Sequence, residues 1–304
     1  MEAKLNRVVV AGGTGLVGRQ LVRALIDLDV RVQVLTRNPL TLHVPAGASA
    51  HGWEELPSLL EGADAVINLA GEGIADRRWS SARKQAIRQS RLDATRKIVS
   101  ALQGCTHAPA ALVNASAIGY YIPKDATPIS EDGAPGAGFL AEVCQAWETE
   151  AHAATGLGVR VACIRIGVVL AAEGGALPKM ATPVRWFQGC KLGSGTQGLS
   201  WIHEADLMAM LIEAARNPAW EGAFNGTAPE PLSNAAFMRL LARRLHRPML
   251  PVPGFLTTLA TKLLLGEMAD ALLLQGAFVL PTHAQALGFT FRFPTADAAL
   301  KDLL

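Results

Sequence analysis

Along the first half of the chain, short continuous apolar runs alternate with stretches whose apolar residues recur every three or four positions. The runs are "RVVVAG", "RVQVLTR", a brief "ASAHGW", "DAVINLAG", "AALVNASAIG" and "GVRVACIRIGVVL", and the periodic stretches predict helices over 15–28, 56–62, 80–103 and 138–155. Strands that are apolar without interruption are covered on both faces, so the pattern predicts a parallel, doubly wound α/β sheet. Past residue 171 the rhythm changes. A helix is predicted over 203–216, and "GAFNGTAP" returns a strand to the sheet at 220–228. The rest is mostly helical up to "LGFTFRFPTADAALKDLL", whose alternation predicts a strand and then a closing helix. The chain thus divides into a sheet domain over 1–170 and a smaller, mainly helical lobe over 171–304, with 250–304 as its last part.

Composition narrows the picture. The chain has 304 residues, 50% hydrophobic and 18% charged, which supports a large packed core and excludes a disordered protein. A net charge of +2 is too mild for a nucleic-acid binder. Cys105, Cys144, Cys163 and Cys190 are widely spaced, so they read as reduced thiols of a cytoplasmic protein. The start runs straight into a strand without a signal peptide. The most apolar region, 254–281, is interrupted by Lys262, Glu267 and Asp270, which predicts a packed lobe and no membrane span.

Candidate chemistry begins with "VVVAGGTGLVG", where Gly12, Gly15 and Gly18 stand between the first strand and the first helix. In that context the first glycine allows a tight turn, the second lets backbone N–H groups approach a pyrophosphate, and the third lets helix and strand pack closely. The sheet is therefore of the Rossmann type, with Gly12, Gly13, Thr14, Gly15, Leu16, Val17 and Gly18 forming a dinucleotide loop. The second strand ends in Thr36 and Arg37, where an acidic residue would have selected NAD. A cation there suits the 2′-phosphate of NADP, the alternative being a solvated arginine. Leu69, Ala70 and Gly71 after the fourth strand are small enough for close backbone approach. Of Arg77, Arg78, Arg83, Lys84, Arg88 and Arg91, most belong to a solvated face. Arg91 differs, because it falls inside the apolar stripe of Ile87, Ala94, Ile98 and Leu102. An inward guanidinium needs a partner, either the cofactor's phosphates or ribose or an internal carboxylate.

Taken together, "GGTGLVG", "NLAGEGI…RRW", "SRLDAT", "NASAIGYY", "FLAEVCQAWE", "IRIGVVL…GGAL", "KLGSGTQGLSWIHEADL" and "LLLGEMADALLLQGAFVLP…LGFTF" resemble the YfcH-type epimerase family of the extended short-chain dehydrogenase/reductases, nearly end to end. The resemblance implies an NADP-binding Rossmann domain with a family-specific C-terminal domain. It also implies cofactor contacts along the Gly12–Gly18 loop and from Thr36, Arg37, Leu69, Ala70 and Arg91, with Val168 and Val169 lining the nicotinamide end. Pairing of two copies through helices 80–103 and 138–155 is implied as well, and Trp147 is compatible with it.

In the wider superfamily a serine, a tyrosine and a lysine act together on the substrate oxygen. Ser116 matches the serine, but Leu140 stands where the tyrosine belongs and Cys144 where the lysine belongs. Tyr120 and Tyr121, the two tyrosines of the chain, are the substitute proton donors, or else pack the pocket floor. An unassisted phenol is only about one part in a thousand ionised at pH 7, so reduction is better served than alcohol oxidation. Cys144 has no nearby cation to activate it, and His203 is either an acid–base group or a cap. "HEAD" lacks the second histidine of a zinc helix, so no metal is expected. Lys179, Arg185 and Lys191 bracket a glycine-rich segment that contacts the substrate's nucleotide or phosphate in extended relatives, or simply confer solubility.

Two functions fit. One is an NADP(H)-dependent oxidoreductase or epimerase-like enzyme acting on a small carbonyl or sugar-nucleotide substrate, with Ser116 orienting the oxygen and Tyr120 or Tyr121 giving the proton. The other is a non-catalytic NADP(H)-binding sensor or scaffold, which gains if Trp79, Trp186 and Trp201 fill the space beside the nicotinamide.

Overall fold

The computed structural model describes residues 3–121 and 126–304. The first half alternates as the pattern predicts: β1 (Arg7–Ala11), α1 (Leu16–Ile26), β2 (Arg31–Leu35), β3 (Ala48–His51), α2 (Leu56–Leu60), β4 (Ala65–Asn68), α3 (Ser81–Leu102), β5 (Ala111–Ala117), α4 (Phe139–His152) and β6 (Arg160–Ile166). There follow β7 (Val168–Leu170), α5 (Ala176–Arg185), β8 (Gly198–Leu199), β9 (Trp201–His203), α6 (Glu204–Arg216), β10 (Gly222–Gly226), β11 (Leu232–Ser233) and α7 (Asn234–Arg244). The tail carries α8 (Gly254–Leu265), α9 (Glu267–Ala269), α10 (Thr282–Ala286) and α11 (Ala296–Leu303).

Seven strands form one parallel sheet in the order β10-β6-β5-β4-β1-β2-β3. The order reverses between β1 and β4, and a crevice opens there at the carboxyl ends of the strands, the place where ligands bind in such sheets. One face is packed by α1 and α6, whose Leu21, Leu25, Leu207 and Leu211 are fully buried against Val8, Val10 and Ile67. The other is packed by α2, α3 and the end of α4, through Leu60, Ile98 and Ala151. The helix over 204–216 therefore belongs to the sheet's own layer, so the chain returns to that layer well before residue 220.

The predicted strand in "LGFTFRF" does not form. The N–H groups of Arg292 and Phe293 donate instead to the buried Asp206 carboxylate at 2.7 and 3.0 Å, while Phe289 packs edge-on against Trp220. A carboxylate that satisfies two successive backbone donors replaces the ladder, and the residue alternation alone does not reveal it. The closing helix α11 is present.

The C-terminal tail is woven into the sheet domain. Residues 277–280 run past Ser200, whose hydroxyl donates to Ala277 O and accepts from Val279 N, and past Ile129, which pairs with Val279. Asn225 of β10 donates to Leu280 O, and Thr227 donates to Val279 O. Buried Glu131 joins them, accepting from Asn225 N through one oxygen and His283 N through the other. No helix among the described residues is long and apolar enough to cross a membrane.

Candidate active site

The glycine loop makes the cofactor cleft out of main chain. Gly12 has φ +81°, and a Cβ there would lie 2.6 Å from the Leu69 carbonyl carbon. A Cβ on Gly18 would lie 2.2 Å from Gly12 O, so only glycine lets α1 close onto the loop. Gly15 caps α1 in extended conformation, with nothing nearer than 3.5 Å to its virtual Cβ. The first N–H groups of a helix have no intrahelical partner, and here they stand at a loop with room for an anion.

A cleft of about 550 Å³ continues from this loop, lined by Gly12, Thr14, Thr36, Arg37, Ala70 and Gly71 among others. Glu72 also lines it, 3.9 Å from Arg37 and 3.0 Å from Arg83. Gly13 and Val17 turn away from the cleft: a Cβ on Gly13 would meet Val34, and Val17 packs on the core. Leu16 supports the Gly174–Gly175 turn, and Leu69 is half-buried against the core. The free helix N–H groups and the space are of the kind a dinucleotide uses.

A second cavity of about 440 Å³ lies between the ends of β5 and β6, the start of α4 and the tail. It is divided from the first space by the contact of Gly71 with Arg91, where a Cβ on the glycine would lie 3.0 Å from the guanidinium carbon. Arg91 is buried, 5.0 Å over the Trp147 ring, and donates to Glu72 O and Ile87 O at 3.1 and 2.9 Å. Among the described residues no carboxylate lies within ion-pair range of it, and burial lowers its pKa. Both features suit a group waiting for an anionic or polyhydroxylic ligand. Val168 lines this cavity, whereas Val169 packs into the core.

The expected proton machinery is differently employed. Ser116 is buried, and its hydroxyl donates to Glu148 Oε1 at 2.6 Å. Glu148 is held at both oxygens by Arg165, with Nε and Nη2 donating at 2.9 and 2.8 Å. Arg165 also donates to the Tyr121 hydroxyl at 2.7 Å, which in turn donates to Asn225 Oδ1 at 2.8 Å. Burial pushes the Tyr121 phenol up to about 12. The Tyr120 ring lies 3.5 Å from the Arg165 guanidinium carbon as a cation–π partner. Of the groups expected to act on a substrate oxygen, the Ser116 and Tyr121 hydroxyls are thus hydrogen-bonded inside the protein and the Tyr120 ring lies against Arg165.

Leu140 and Cys144 occupy the cavity wall. The Cys144 thiol donates weakly to Ala117 O at 3.6 Å, and burial pushes it up to about 11, which keeps it an inert thiol. His203 caps α6, its Nδ1 accepting from Ala205 N, while Nε2 lies 3.3 Å from Asp302 and the ring stacks on Phe293. Of the solvated-face arginines, Arg77, Arg78 and Arg88 are exposed, while Arg83 and Lys84 pair with Glu72 and Glu267. Trp147 donates to Thr95 and is buried between α3 and α4, so it offers no outward contact to a second copy. Trp201 is buried in the lobe, Trp186 is 74% exposed, and only Trp79 of the three borders the cavity, which is open.

The pairing of Glu148 with Arg165 was not foreseen. The signal was present: an arginine inside the apolar run "ACIRIGVV" must find an anion, as must Arg91 in its helix.

Comparison with known proteins agrees with this architecture. The model of the NAD dependent epimerase/dehydratase family matches residues 8–225, and that of a domain of unknown function matches 252–303. An epimerase family protein of Staphylococcus saprophyticus is 38% identical over 307 residues, 99% of this chain and all of that protein. A chloroplastic SDR39U1 homolog of Arabidopsis thaliana is 40% identical over 98% of this chain and 86% of its own length. The crystal structure of human epimerase family protein SDR39U1 with NADPH superposes with a TM-score of 0.87 at 31% identity, covering 98% of both chains. A nucleoside-diphosphate sugar epimerase of Corynebacterium glutamicum gives 0.77 at 32% identity over 98% of this chain and 57% of that one.

Proposed function

We propose a function on one firm premise, that the chain belongs to the NAD dependent epimerase/dehydratase family, within the extended short-chain dehydrogenase/reductases. We infer an NADP(H)-dependent oxidoreductase that reduces a small carbonyl compound. The observation that carries it is the open cavity of about 440 Å³ adjoining the dinucleotide cleft at the strand ends, a space for a second ligand beside the nicotinamide. Arg37 at the end of β2 and the NADPH in the human relative's structure support NADP over NAD.

The dinucleotide, when bound, supplies a hydride. The chain's part is to hold and orient: Gly12, Gly15 and the N-terminus of α1 for the pyrophosphate, Thr36 and Arg37 for the 2′-phosphate, and Arg91 with its remaining donors for the nicotinamide half. Val168 forms the cavity wall at that end. Forming the Tyr121 phenolate at pH 7 costs on the order of 7 kcal/mol for a phenol at about 12, so a reaction that begins by oxidising an alcohol lacks its base. Reduction asks less, because water reaching the open cavity protonates the developing alkoxide.

The committed hydroxyls of Ser116 and Tyr121 favour a second reading, an NADP(H) sensor without turnover. The test is NADPH titration by fluorescence, followed by absorbance at the reduced-nicotinamide band against carbonyls and sugar nucleotides. Tight binding with carbonyl-dependent oxidation that Ala137→Trp, at the exposed cavity edge, abolishes is the outcome for the oxidoreductase. Tight binding with no turnover gives the sensor, and failure to bind NADPH sinks both.

A further inference from the structure

Resting on the oxidoreductase reading, we propose that the cavity takes a compact, uncharged carbonyl compound with an apolar or aromatic body and rejects nucleoside diphosphate sugars. A diphosphate carries at least two negative charges and is recognised by arginine and lysine placed on the substrate side of a site. Here the tail supplies the opposite sign. The charged residues it contributes to the lining are Glu267 and Asp270, followed by the neutral Gln275. Both are paired, Glu267 with Lys84 at 2.5 Å and Asp270 with Lys262 at 3.1 Å, and the exposed Arg78 guanidinium, beside Gly266, does not line the cavity.

Lys179, Arg185 and Lys191, which the sequence offers as phosphate contacts, do not line the cavity, and Lys191 turns back to donate to Ser194 O at 3.2 Å. Arg91, the one guanidinium in the lining among the described residues, lies against Gly71 at the border of the dinucleotide cleft. Among the described residues a diphosphate in this cavity would thus find Arg91 as the one cation of the lining, beside two carboxylates already paired, so most of its charge would go unmatched.

Apart from Tyr121, Ser200 and Gln275, the remaining walls are apolar side chains and main chain. Trp79 and Phe139 stand edge-to-face with centroids 5.0 Å apart, and Ile118, Leu140, Leu272 and Val168 close the space around them. Such walls reward a small apolar body and offer a sugar's hydroxyls few partners.

The test is saturation-transfer NMR on the NADP⁺-loaded protein with acetophenone and with UDP-glucose as probes, repeated on Ala137→Trp and on Leu272→Trp. Acetophenone is expected to give a transfer signal that both substitutions remove, and UDP-glucose none in any form. A UDP-glucose signal that either substitution removes would overturn the assignment, and so would an acetophenone signal that is absent or survives both. A parallel set of the same proteins loaded with NADPH, followed by its fluorescence, judges the oxidoreductase reading separately: ketone binding without NADPH oxidation leaves the ligand class intact and defeats only the turnover.

Discussion

At the glycine loop the crevice is lined by main chain, shaped by Gly12, Gly15 and Gly18 within seven residues of sequence; in the second cavity it is lined by side chains delivered by β5, α3, α4 and the tail. The first end depends on what is missing, a Cβ at Gly12 and at Gly18, and tolerates no side chain at those two positions. The second depends on what each side chain is bonded to, and a motif cannot report that. A cofactor site can thus persist unchanged while the chemistry beside it is rebuilt, because the two are made from different parts of the chain.

The sharpest way to break the comparison is at the loop. Gly12→Ala places a Cβ 2.6 Å from Leu69 in a positive-φ residue, and is expected to abolish NADPH binding and to cost about 3 kcal/mol of stability, read by fluorescence titration and urea unfolding. At the other end Arg165→Met leaves Glu148 buried without its partner. Unfolding should be easier by about 3–5 kcal/mol, and Arg165→Met combined with Glu148→Leu should recover part of that loss. If the double variant is no better than the single, the pair is not the keystone of the Ser116 network.

A smaller effect sharpens cofactor choice. Arg37→Ala is expected to weaken NADPH by about 1.5–3 kcal/mol and leave NADH nearly untouched, and equal losses for both would remove Arg37 from the 2′-phosphate. The smallest effect lies outside both ends. Burial holds His203 below its ordinary value, so the unfolded chain takes up a proton that the folded chain refuses. Stability is then full above about pH 6.5 and declines as pH falls from there. Urea midpoints should show that decline flattened in His203→Asn, which keeps a capping acceptor.

Much of the sheet was legible because its signals are local: continuous apolar runs, the glycine spacing and the stripe that turns Arg91 inward. The strand expected in "LGFTFRF" failed because Asp206, 86 residues earlier, claims its N–H groups. The bonding of Ser116 and Tyr121 was hidden for the same kind of reason. Their partners Glu148, Arg165 and Asn225 lie 32, 44 and 104 residues away, so nothing near the serine or the tyrosine discloses them. Loss of the tyrosine and lysine at positions 140 and 144 was visible at once, since it needs only a register against the motif.

The Glu131 clamp bears on the order in which the chain acquires its shape. One of its oxygens holds the edge strand β10 at Asn225 and the other holds His283, a contact spanning 152 residues. Closing so long a loop is entropically late, and a chain emerging from its N-terminus completes most of the sheet before residue 283 exists. The last strand then docks without its clamp until synthesis is nearly finished, so the sheet's free edge is the surface that a nascent chain leaves exposed the longest.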